Sequence, residues 1–145
     1  MYDERFIAPM RAELTELGVQ ELKSAAAVDA ALKEAAGTTL VVVNSMCGCA
    51  ARNARPAIRT ALEHSAKPDK SVTVFAGQDP EPTQAARSYF TGYRPSSPSI
   101  ALMKGGKVVF MLERHQIEGR SADEISHDLV NAFDTHCAVP GSVVA

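Results

Sequence analysis

Cys47-Gly48-Cys49 places two thiols one residue apart, between the apolar run Leu40-Val41-Val42-Val43 and Ala50-Ala51-Arg52-Asn53-Ala54-Arg55, a string rich in helix formers. The pattern reads as a strand handing over to a helix, with the sulfurs at the junction. At such a junction the unpaired N–H groups of the first helical turn and the positive end of the dipole favour an anion, so a thiol ionises more readily than a free one. A thiolate attacks a disulfide sulfur, and a second thiol within reach resolves the mixed disulfide that results, so the chemistry indicated is thiol–disulfide exchange. Cys47, nearer the helix start and expected to be less covered, is the expected nucleophile, and Cys49, about half a turn further in, the resolving thiol. A Cys47–Cys49 disulfide closes a small ring that Gly48 can ease but that predicts strain and a raised reduction potential. Arg52 or Arg55 either adds positive potential to the pair or is plain solvated helix surface; the sequence leaves both open.

Two further readings use the same residues. A Cys-X-Cys pair can hold zinc, copper or an iron–sulfur cluster when a third ligand joins it, and Cys137, His64, His115, His127 and His136 are the candidates. All are distant in sequence and no second Cys-X-X-Cys or Cys-X-X-His unit is present, so no metal site is assigned. Alternatively, oxidation of the pair could change partner binding, as in a redox-sensing adaptor. Cys137, beside His136, reads as a semi-buried thiol closing the last helix more readily than as a third redox participant.

The chain has 145 residues, 46% of them hydrophobic, which is the size and apolar content of one domain with a real core. A formal net charge of −2, few aromatics and no Trp argue against a nucleic-acid partner. The start, Met1-Tyr2-Asp3-Glu4-Arg5-Phe6, has no secretion-signal pattern, and no apolar run approaches membrane-spanning length, so a cytoplasmic protein without a membrane partner is expected. An odd count of three cysteines suits a reducing compartment rather than a disulfide scaffold.

The elements that position the pair follow from periodicity and punctuation. Phe6, Met10, Leu14 and Leu17 form an apolar stripe on a helix over 3–17, with Arg11, Glu13 and Glu16 on its other faces and Gly18 as its stop. Val19–Leu22 suggests a short edge strand. Ser24 should cap a helix over Ala25–Ala36 with Val28, Leu32 and Ala35 inward, ended by Gly37. Thr38–Asn44 reads as a central strand buried on both faces. The helix after the cysteines should run to about Ser65 with a kink at Pro56. Ser71–Ala76 is a second central strand. Gly77-Gln78-Asp79-Pro80 is a loop in which Asp79 could cap the following helix, around Pro82, Ala85, Ala86 and Tyr89. Irregular Arg94–Ser99 leads into a hairpin of strands Ile100–Met103 and Val108–Leu112 about Gly105-Gly106. Glu113–Gly119 reads as a polar turn, and Ser121 should cap a last helix through about Thr135 with Ile125, Leu129, Ala132 and Phe133 buried. Residues 1–137 form the expected domain, and 138–145 an irregular, disordered tail.

Helices alternating with strands imply parallel pairing, and the closing hairpin adds an antiparallel pair. The expected class is α/β: a thioredoxin-like fold, a central mixed sheet flanked by helices, with an extra N-terminal helix. In that plan the cysteines sit after the first central strand and a proline precedes the hairpin, which points to Pro98. A cis Ser97-Pro98 bond would turn backbone groups of Ser97 toward the cysteines, making Ser97, Pro98 and Gly48 the candidate substrate-binding residues.

The sequence resembles the bacilliredoxin family, thioredoxin-like proteins with a Cys-Gly-Cys motif. The matching stretches are Pro9-Met10-Arg11, Gly37-Thr38-Thr39, Val43–Ala50, Ala54-Arg55-Pro56, Phe75-Ala76-Gly77-Gln78-Asp79, Ser96-Ser97-Pro98-Ser99 and Glu113–Gly119, within roughly residues 2–137. The resemblance implies an enzyme that removes bacillithiol from S-bacillithiolated client proteins, with Cys47 attacking and Cys49 resolving. Bacillithiol or another low-molecular-weight thiol would be the co-substrate, no bound cofactor is implied, and weak disulfide isomerase activity is a related property.

Overall fold

In the computed structural model, which describes residues 1–33 and 36–137, the uninterrupted β-branched run forms strand β2 (Thr38–Asn44), and every one of its residues is buried. Its side chains alternate between two cores. Leu40 and Val42 join Ile58, Leu129 and Phe133 on one face, while Val41 and Val43 join Val28, Val72, Val74 and Ala86 on the other. A strand covered on both faces has no polar face to show, which is why its sequence lacks alternation.

β2 sits at the centre of a five-stranded sheet of order β1-β3-β2-β4-β5, where β1 is Gln20–Glu21, β3 Lys70–Phe75, β4 Ser99–Lys104 and β5 Lys107–Leu112. β3 pairs with β2 in parallel, with Asn44 opposite Phe75, and β1 pairs with β3 in parallel. β4 runs antiparallel to β2, with Val43 opposite Ser99, and β5 antiparallel to β4. Gly105 and Gly106, at φ 59° and 80°, make the β4–β5 turn that other residues adopt only with strain. Helices α2 (Ala25–Leu32) and α4 (Pro80–Ser88) cover one face of the sheet. The other face is covered by α1 (Glu4–Thr15), α3 (Arg55–Ala61) and α6 (Ala122–His136). This is the expected thioredoxin-like arrangement with its additional N-terminal helix.

Capping fixes the helix starts as expected at Ser24, whose Oγ accepts the Ala27 N–H at 3.1 Å, and at Ser121, which exchanges bonds with Glu124 in a capping box. Four expectations change. The buried face of α1 is Ile7, Arg11 and Leu14, while Phe6 is 70% exposed: Arg11, assigned to solvent, lies inside because carboxylates meet it there. The turns before Pro56 form a π-helical segment, Ala50–Ala54, and the helix ends at Ala61 rather than near Ser65. A proline cannot donate to the carbonyl four residues back, and the ladder widens so that the Arg55 N–H reaches the Ala50 carbonyl. The polar turn after β5 is a short helix α5 (Arg114–Ile117), started by the Gln116 side chain accepting the Glu113 N–H at 3.0 Å. Asp79 makes no capping bond to α4, because its carboxylate is committed to Arg11 at 2.6 Å. Ala35 and the tail 138–145 lie outside the described residues.

Candidate functional site

The strand-to-helix junction is held by a buried network that starts at Asn44, the last residue of β2. Its Oδ1 accepts the Ser45 N–H at 2.9 Å and Arg55 Nη1 at 3.0 Å, and its Nδ2 donates to the Met10 carbonyl at 3.2 Å. Arg55 also donates to the Ser45 carbonyl at 3.0 Å and to Glu13 on α1 at 2.9 Å. It is therefore neither solvated helix surface nor a cation presented to the sulfurs; it is a buried tie that fixes the loop entering the cysteine pair. Arg52 is exposed and its guanidinium lies over Gly48, where an added Cβ would meet it at 2.7 Å. Gly48 stands in the first helical turn without a positive φ, so what its missing side chain makes room for is the Arg52 guanidinium rather than a special backbone turn.

Ser45 donates its hydroxyl to Cys47 Sγ at 3.1 Å and accepts the Cys47 N–H at 3.3 Å. Burial works against ionisation of Cys47. The Ser45 hydroxyl, the N–H groups of Ala50 and Cys49, and the positive charge of Arg114 outweigh it and bring its pKa below that of an ordinary thiol. Cys49 goes the other way: burial raises its pKa, and the neighbouring Cys47 sulfur and Glu118 add to the effect. Both thiols are half-buried. What separates them is the set of donors aimed at one sulfur and not at the other.

The Ser97-Pro98 peptide bond is cis. Ser97 and Cys47 line one open groove of about 230 Å³, and Pro98 is buried behind Ser97. Tyr2, Ala76 and Gly77 also line the groove, as do Met46 and Arg114. Arg114 donates through Nη1 to the Ser97 carbonyl at 3.2 Å and through Nε to Glu118 at 3.2 Å, while its N–H reaches Ser96 Oγ at 3.3 Å. One side chain therefore joins the proline loop, helix α5 and the field at the sulfurs. Cys137 is far away, where burial raises its pKa and the Thr38 hydroxyl partly offsets the rise. Thr38 begins β2, so that thiol is about 20 Å from the pair along a strand rising ~3.3 Å per residue. His64 pairs with Asp134 at 2.8 Å, and among the described residues no group of three His, Cys, Asp or Glu side chains is placed to hold a metal. No helix among them is long and apolar enough to cross a membrane.

The model of the family described as "Disulphide isomerase" matches residues 2–137. A bacilliredoxin of Koribacter versatilis is 54% identical over 137 residues, covering 94% of each chain. The chain belongs to the bacilliredoxin family. Other bacilliredoxins agree: one from Bacillus licheniformis is 53% identical, covering 94% of this chain and 95% of its own, and one from Staphylococcus aureus is 49% identical over 94% of both. Among solved structures, the thioredoxin Mala s 13 of Malassezia sympodialis superposes with a TM-score of 0.55 at 20% identity, covering 81% of this chain and 90% of that one. A mutant thioredoxin of Halobacterium salinarum gives 0.51 at 16%, covering 87% and 93%. These two show the thioredoxin-like fold. As a bacilliredoxin, the chain is a thioredoxin-like thiol–disulfide oxidoreductase with a Cys-X-Cys pair.

Sequence reasoning missed Ser45, Arg114 and Tyr2. Ser45 stands two residues before the first cysteine, where a hydroxyl can turn back on the sulfur, and that spacing was a usable signal. Arg114 lies in a stretch that reads as a polar turn and matches the family, but nothing local shows that the turn faces the cysteines.

Proposed function

We propose that this bacilliredoxin reduces mixed disulfides on S-bacillithiolated proteins in the cytoplasm, through Cys47 as attacking thiolate and Cys49 as resolving thiol. Cys47 Sγ attacks one sulfur of the client's mixed disulfide; a Cys47 S–S bond forms, the original S–S bond breaks, and the leaving sulfur departs as a thiolate that takes a proton from solvent. Cys49 then loses its proton and attacks Cys47 Sγ, expelling the second thiol and leaving a Cys47–Cys49 disulfide. The client mixed disulfide gains two electrons and the pair loses two; two molecules of a low-molecular-weight thiol, attacking in turn and leaving as their own disulfide, return the pair to the dithiol. The raised pKa of Cys49 suits the later step, since it stays protonated while Cys47 is charged.

The observation that carries this reading is the convergence of the Ser45 hydroxyl and two backbone N–H groups on Cys47, with the Arg114 charge near both sulfurs, within a groove shared with Ser97. Ser97 offers main-chain groups to an extended client segment, Pro98 holds that segment's partner strand in place, and Gly48, bare of a side chain, lets the Arg52 guanidinium lie over the turn between the sulfurs. The names of the relatives support bacillithiol as the small thiol, and the family's description supports a weak disulfide isomerase activity on the same pair. The test is a Cys49→Ser variant expressed in cells: a mixed disulfide accumulates on Cys47, and mass spectrometry of the adduct identifies the thiol and the clients. Accumulation on a Cys47→Ser variant instead reverses the roles. Stoichiometric zinc, copper or iron in anaerobically purified protein, with no reducible disulfide, contradicts the reading.

A further inference from the structure

Two sequence blocks, Pro9-Met10-Arg11 and Phe75–Asp79, take no part in the exchange chemistry, yet they hold the most heavily charged buried cluster outside the cysteine site. Arg11 is 7% exposed and donates to Glu4 at 2.6 Å, to Asp79 at 2.6 Å and to Glu21 at 3.0 Å, with its guanidinium 5.2 Å above the Phe75 ring. Gln78 is 6% exposed and grips the main chain of Tyr2 from both sides. Its Oε1 accepts the Tyr2 N–H at 2.9 Å, and its Nε2 donates to the Tyr2 carbonyl at 2.9 Å and to Glu4 at 2.9 Å.

One buried cation among three carboxylates is a weak device for stability, because desolvation offsets much of the attraction; it is better suited to fixing one geometry. What this cluster fixes is Tyr2. An extended segment ahead of a helix frays unless its main chain is satisfied, and here a side-chain amide satisfies both groups as a neighbouring strand would. The held residue then presents its ring, half-exposed at 49%, to the groove that contains Cys47, with Met46, 37% exposed, on the same groove. Two apolar side chains left open beside the attacking sulfur need an apolar partner that a small polar thiol lacks and a polypeptide supplies.

We propose that Tyr2, clamped by Gln78, is a specificity wall of the groove, packing against the client polypeptide that carries the mixed disulfide. The inference rests on the reading of Cys47 as the attacking thiol. It assigns to the N-terminal segment, which lies ahead of the thioredoxin-like core, the recognition of protein over small-molecule disulfides.

The test compares two probes with the same leaving thiol: a peptide whose single cysteine is in mixed disulfide with 2-mercaptoethanol, and bis(2-hydroxyethyl) disulfide. Single-turnover rate constants are measured for the full chain and for Tyr2→Ala, Tyr2→Phe, Gln78→Ala and Phe6→Ala. The ratio of peptide to small-disulfide rates should fall roughly three- to tenfold in Tyr2→Ala and Gln78→Ala, the range expected for an aromatic packing contact. Tyr2→Phe should keep the ratio, and Phe6→Ala, on an exposed surface away from the groove, should leave it unmoved. A ratio unchanged in Tyr2→Ala overturns the proposal, as does an equal fall with Phe6→Ala. A wild-type chain that reacts with neither probe removes the exchange reading itself, and this inference with it.

Discussion

The two ends of β2 each carry a half-buried thiol beside a helix terminus, and the two thiols are driven in opposite directions. At the Asn44 end, Cys47 precedes a helix, and burial is outweighed by the Ser45 hydroxyl, the Ala50 and Cys49 N–H groups and Arg114. At the Thr38 end, Cys137 follows α6; burial raises its pKa, Asp69 adds to the rise, and the Thr38 hydroxyl and Lys104 only partly offset it. A helix start turns free N–H groups toward a sulfur. Burial opposes ionisation at both ends; at Cys47 a hydroxyl and two N–H groups, with Arg114 nearby, outweigh it, and at Cys137 one hydroxyl and Lys104 do not.

The comparison breaks most sharply under substitution of the thiols themselves. Cys47→Ser should reduce exchange on a peptide mixed disulfide to the uncatalysed background, whereas Cys137→Ser should leave the rate intact in the same stopped-flow assay. The next largest effect concerns the network that aims the loop. Arg55→Met removes the partner of Glu13, Asn44 and the Ser45 carbonyl together, and should lower stability by about 2–4 kcal/mol in urea unfolding. Ser45→Ala deletes one hydrogen bond to the thiolate and should slow alkylation of Cys47 at neutral pH roughly three- to tenfold, with little loss of stability. The smallest effect belongs to the far end: Cys137→Ala should change stability by no more than ~1 kcal/mol, because that thiol is half-buried and meets one hydroxyl, that of Thr38.

Elements whose burial follows a simple period were legible in the sequence. β2 could be read because a strand covered on both faces is apolar throughout, and α6 because Ser121 and Glu124 announce its start and Ile125, Leu129 and Phe133 its inner face. The inner face of α1 was legible at Leu14 but not at Arg11, which counts as polar until the carboxylates of Glu21 and Asp79 are brought to it by other elements. The cysteine pair and the proline loop were visible as residue types at a recognisable place in the element order. Arg114 and Tyr2 were not, because each reaches the groove only through tertiary contacts: Arg114 through the Ser97 carbonyl, Tyr2 through Gln78.

The most direct test of the account follows iodoacetamide alkylation of Cys47, Cys49 and Cys137 separately, by mass spectrometry, across the pH range. A free thiol ionises near pH ~8.5. Cys47 has a lowered pKa, so its alkylation rate should level off at a lower pH than that of an ordinary thiol, and it should fall with the thiolate fraction as acid restores the proton. Cys49 and Cys137, both raised, should still be gaining rate after Cys47 has levelled off. Three coincident profiles, or a Cys49 that levels off before Cys47, would contradict the claim that the donors around Cys47 make it the reactive sulfur.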